Sequence, residues 1–105
     1  MAKQNKKSIF VSTWSNSTHN NETGAGFGIR IYHSDIDRVI NWQRILIDNE
    51  ILLRGNKTFN EDCPEIRSKM IGAFLIRNGL HIWPRGNPHQ LILTSEGRNT
   101  FRLHA

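Results

Sequence analysis

Asp62 to Leu80, DCPEIRSKMIGAFLIRNGL, is the stretch on which the reading of the fold turns. Asp62 and Glu65 stand at a spacing like that of a capping box. Pro64 suits a first helical turn, where its missing N–H costs nothing, and Asn78-Gly79 supplies a left-handed stop. Wound at about 100° per residue, Ile66, Met70, Phe74, Ile71 and Leu75 cover one broad arc, which Ala73 and Ile76 extend. The spacing predicts one main helix over about residues 63–78, apolar on most of its surface and in need of cover on several sides.

The flanking chain offers short strands to provide that cover. Ser8 to Trp14 alternates Ile9, Val11 and Thr13 with Phe10, Ser12 and Trp14, so both faces of a strand carry something large. Gly24 to Tyr32 sets Phe27, Ile29 and Ile31 against Gly26, Gly28, Arg30 and Tyr32. No helix start follows to hold a phosphate, so these glycines read as a bulge or a close approach of another backbone. His33 to Ile40 fits one helical turn. Trp42–Ile47 and Glu50–Leu53 form a hairpin around Asp48-Asn49, and Thr58-Phe59 an edge strand. Gln90–Thr94 and Thr100–His104 form a second hairpin across Ser95-Glu96-Gly97. The expected class is α+β: about six short, mostly antiparallel strands forming a half-open barrel or curled sheet, with the main helix plugging one end. A flat sheet backed by the helix is the alternative.

A chain of 105 residues holds one domain, read as residues 8–105 behind a flexible basic arm at residues 1–7. No apolar run approaches the ~20 residues of a membrane span, and the lone Cys63 excludes an internal disulfide. A cytoplasmic protein without a membrane partner is expected. The net charge of +5 is uneven. Residues 1–21 carry Lys3, Lys6 and Lys7 and no acid, residues 22–65 carry five basic residues against eight acids, and residues 66–105 carry six basic residues against Glu96 alone. If both ends lie together, they make a positive surface suited to phosphate; the plain alternative is a basic surface that serves only solubility.

Catalytic patterns are sparse. The five histidines never stand at helical i, i+4 spacing, Cys63 has no second cysteine, and Asp35 with Asp37 lacks a third ligand, so no metal and no cofactor is expected. Cys63 lies near the expected helix start, where it reads as packed rather than as a nucleophile. A ribonuclease working by general acid and base would draw on His81 or His89 near Arg85. Arg67 falls inside the apolar arc of the expected helix and must either snorkel out past the first turn or meet an acid; a structural ion pair is favoured, with Glu61, Asp48 or Glu50 as candidate acids. The loop His81–His89 braces Trp83 and Arg85 between Pro84 and Pro88, which suits recognition, or else leaves Trp83 as a cap on the core.

From Cys63 onward, CPEIRSKMIGAFLIRNGLHIWPRGNPH followed by Phe101-Arg102-Leu103 resembles short uncharacterised bacterial and phage proteins, a likeness that implies no activity. In element order the chain also resembles the B3-type pseudobarrel of plant transcription factors and of the DNA-reading domains of some restriction endonucleases. That likeness implies basic arms and strand-edge loops entering the major groove, here Lys3 to Lys7, Arg30 and the Trp83–Pro88 loop; the short length and the polar Ser15–Thr23 loop depart from it. The function expected is therefore non-enzymatic binding of nucleic acid, double-stranded DNA first, through Lys3, Lys6, Lys7, Arg30, Lys69, Trp83, Arg85, Arg98 and Arg102. The alternatives are a small protein-binding module, such as a phage or mobile-element inhibitor of a host defence protein, and the ribonuclease-type toxin.

Overall fold

Strand alternation organises the molecule. A computed structural model describes residues 7–105; Lys3 and Lys6 lie outside them. The chain forms β1 (Ser8–Ser15), β2 (Phe27–Ile31), a 3-10 turn at His33–Asp35 running into α1 (Ile36–Val39), β3 (Arg44–Ile47), β4 (Glu50–Leu53), β5 (Glu65–Arg67), α2 (Lys69–Arg77), β6 (Gln90–Gly97) and β7 (Thr100–His104). The strands make one sheet in the order β4-β3-β7-β6-β1-β2-β5, antiparallel except where β3 runs parallel to β7, and the sheet curls into a half-barrel. This is the expected α+β architecture with seven strands rather than six.

The inner face is apolar throughout. Val11, Ile29, Ile45, Ile47, Leu91 and Leu93 are fully buried there, and α2 lays Ile71, Phe74 and Leu75 against β2 and β3. At roughly 1.5–3 kcal/mol for each such side chain removed from water, a one-residue slip of any central strand would forfeit several kcal/mol, so the register is strongly specified.

The main helix begins at Lys69, not near residue 63, and this corrects the expectation. Glu65–Arg67 is extended because β2 offers an open edge: Arg30, Ile29 and Gly28 pair with Glu65, Ile66 and Arg67. The Ile31 N–H donates to the Pro64 carbonyl at 2.9 Å and the Ser68 N–H to the Phe27 carbonyl at 3.1 Å, extending the ladder at both ends. Ser68 is the true N-cap, its Oγ accepting from the Met70 N–H at 3.0 Å. Asp62 and Glu65 form no capping box; the Asn60 side chain instead accepts from the Asp62 and Cys63 N–H groups. The far end is as expected, with Gly79 at φ 69° and the Leu80 N–H folded back onto the Leu75 carbonyl at 2.8 Å.

Two further boundaries move. The last hairpin turns at Arg98-Asn99, whose φ values of 55° and 59° match the right-handed twist of the flanking strands, while Ser95 to Gly97 belongs to β6 and carries a bulge. Thr58-Phe59 is not a strand; Phe59 is simply buried. What holds that segment is Arg54, whose guanidinium lies over the fully buried Trp42 ring and donates to the carbonyls of Ile40, Trp42, Lys57 and Phe59. Hydrogen bonds from a charged donor contribute about 1.5–3 kcal/mol, so Arg54→Ala is expected to lower the unfolding free energy by about 2 kcal/mol in urea denaturation. Arg54→Lys should restore little of it, because an ammonium cannot reproduce the fork.

Candidate nucleic-acid interface

The outer face of the sheet follows from the same alternation. Cross-strand register sets Phe10, Ile92 and His104 in one row, Glu65, Arg30, Ser12 and Gln90 in the next, and Arg67, Gly28 and Trp14 in a third, while Tyr32, just past the end of β2, lines one cleft with Phe10. Further across, Arg102 pairs with Leu46, and Arg44 lies between Thr100 and Leu53. Phe10 is 57% exposed and Tyr32 41%. The surface thus mixes aromatic rings with the guanidinium groups of Arg30, Arg44, Arg67 and Arg102.

Glu65 brackets two of those arginines. Its buried carboxylate has Arg67 Nη2 at 3.2 Å from Oε1 and Arg30 Nε at 3.8 Å from Oε2, while the Cys63 thiol donates to Oε1 at 3.7 Å. Both arginine side chains remain more than half exposed. The arginines compensate the buried charge of Glu65, and the carboxylate in turn holds their guanidinium groups outward at fixed spacing. Arg67 also lies over Trp14, Cζ to ring centroid 4.8 Å, which holds the indole against the sheet. Arg67 does sit in an ion pair, but with Glu65 rather than Glu61, Asp48 or Glu50, and it stands on a strand rather than inside a helical arc. Gly28 allows the bracket to form: a Cβ there would strike the Ile66 carbonyl, so only glycine lets β5 approach with Glu65 and Arg67 in place.

The other expected residues fall in separate places. Lys7 is exposed beside the centre of the sheet, its carbonyl accepting from the Ser95 N–H, so the start of β1 lies against the last hairpin. Arg98 is exposed at that hairpin's turn, and Arg102 is bound to Glu96 at 3.3 Å. Lys69 is exposed at the first position of α2. Trp83 and Arg85 belong to the opposite end of β1, where the His89 backbone exchanges hydrogen bonds with Thr13; at about 3.3 Å per residue that is roughly 20 Å from Lys7. Trp83 is half-buried, edge-on to Phe27 and His89, whereas Arg85 is exposed. His89 gives its Nε2 to the Ile82 carbonyl at 2.9 Å, bracing the loop, and His81 Nδ1 is enclosed without a partner.

Sequence reasoning passed over Phe10, Trp14 and Tyr32 as binding residues. The signal was present in the alternation, which puts all three opposite the apolar face of their strands. Among the described residues no group of three or more His, Cys, Asp or Glu side chains is placed to hold a metal ion, and no helix is long and apolar enough to cross a membrane. Fold and surface together define an α+β curled-sheet protein with an arginine- and aromatic-bearing outer face. No protein-family model, curated protein or solved structure matches the chain.

Proposed function

We propose that this protein binds nucleic acid without catalysis, laying the strand across the outer face of its sheet. The observation that carries the reading is the register just described, in which Arg30 stands in the row between Phe10 and Trp14, and Arg67 reaches from the edge strand over the Trp14 ring. Guanidinium groups fork onto phosphate oxygens, and aromatic rings take bases by stacking, so the two side-chain types at this spacing complement a polynucleotide in both charge and shape. Arg44 and Arg102, further across the same face, extend the positive track.

Fluorescence anisotropy with labelled oligonucleotides, single-stranded and duplex, across a salt series tests the proposal. Three to four phosphate contacts give a slope of log K against log salt of about −2 to −3. No binding at low salt, or affinity indifferent to salt, would remove nucleic acid as the partner.

A further inference from the structure

A cleft of about 380 Å³ opens on this same face and is lined by Phe10 and Tyr32 together with Ser34, Asp35, Gln90 and Ile92. It lies within the ~300–1,000 Å³ range of clefts that enclose small ligands. Its composition is uneven in an informative way. Phe10 on β1 and Tyr32 just past the end of β2, both substantially exposed, supply flat apolar surface, and Ile92 lies opposite Phe10 across the β1–β6 ladder. Polar atoms stand around them: the Gln90 amide nitrogen is 3.4 Å from the Tyr32 hydroxyl, which steadies that ring, and the Ser34 hydroxyl and Asp35 carboxylate line the same opening. Asp35 accepts from Arg38 Nε through Oδ1 at 3.5 Å.

We infer that this cleft receives one unpaired nucleobase, stacked on Phe10 and Tyr32 with its hydrogen-bonding edge toward Asp35, Ser34 and Gln90. The inference rests on the nucleic-acid reading above and sharpens it to single-stranded polymer. A base within a duplex has both ring faces covered by its neighbours and its pairing edge occupied, so it has nothing to offer this cleft, whereas a base in a single strand presents both. The backbone of the same strand would then run toward Arg30, one row away on the sheet. The Asp35 carboxylate is an acceptor only, and it favours a base whose edge carries N–H donors.

The experiment compares wild type, Phe10→Ala and Arg30→Ala by anisotropy against a labelled single-stranded 12-mer of mixed sequence and a duplex of the same sequence, at one low salt concentration. Expected is at least tenfold tighter binding of the single strand by wild type. Phe10→Ala should weaken the single strand about tenfold with the duplex unchanged, as loss of one stacking platform predicts. Arg30→Ala should weaken both. Because Phe10 is largely exposed, its loss should leave the circular dichroism spectrum and melting temperature unaltered, and Phe10→Trp should restore single-strand affinity. Equal wild-type affinity for both forms, or a Phe10→Ala variant that binds the single strand as wild type does, overturns the base-cleft assignment while leaving nucleic-acid binding in place. Absence of binding to either form overturns both.

Discussion

A Gly72→Ala variant is expected to lose about 3 kcal/mol of stability, seen as a fall of ten degrees or more in melting temperature, roughly 4–8 °C per kcal/mol in a domain of this size. A helix-interior glycine would ordinarily gain from that change, by up to about 1 kcal/mol. Here the sign reverses because the backbone of Gly24, at φ 89°, rests directly on α2: a Cβ at residue 72 would strike the Gly24 carbonyl and lie 2.6 Å from its Cα. Gly24 meets the same constraint from the other side, since its own Cβ would lie 2.8 Å from the Lys69 carbonyl. Neither neighbour is a flexible side-chain tip that can swing away. Gly55→Ala serves as the control: its φ of 55° is equally positive, but nothing lies within 4 Å of an added Cβ, so its cost should stay near 1 kcal/mol. A Gly72→Ala protein as stable as wild type would show that the loop before β2 does not rest on the helix.

The second large effect concerns binding. Arg30→Ala combined with Arg67→Ala should lower affinity for a single-stranded oligonucleotide by thirtyfold or more at low salt and make the salt slope shallower by about 1.5 units, close to one phosphate for each guanidinium removed. The same double variant leaves the buried Glu65 carboxylate without its two partners and should melt several degrees below wild type, and adding Glu65→Gln should recover most of that loss without restoring affinity. Affinity that drops with the slope unchanged would place these arginines on base edges or in structural support, and unchanged affinity would move the interface elsewhere on the molecule.

Much of the architecture was legible in the chain, and the boundary between what was and was not follows contact range. The Asp48-Asn49 hairpin and the Gly79 stop of α2 depend on neighbours within a few residues, and both are as read. The close approach expected across the glycines of residues 24–28 is present at Gly24 and Gly28. The start of the main helix was misread because Pro64, Glu65 and the apolar residues after them satisfy helix rules locally. Only the open edge of β2, nearly forty residues earlier in the chain, makes the extended form better. The last turn shifted for a related reason: Gly97 has the composition of a turn, but the bulge in β6 carries the pairing two residues further, to Arg98-Asn99. At the candidate interface, Arg30 was named from the pseudobarrel likeness, while Phe10, Trp14 and Tyr32 were passed over because charge was weighed ahead of strand alternation.

One feature of the topology bears on how the protein reaches this state. Strand β7 lies between β3 and β6, so the hairpin β3–β4 has no hydrogen-bonded link to the other strands until Thr100–His104 has been synthesised. A nascent chain therefore carries Ile45, Ile47 and Leu52, all buried in the finished fold, on an unattached hairpin while translation continues through some fifty more residues. Folding should be slow and late on the ribosome, with the greatest demand for chaperone shielding falling just before the final strand emerges.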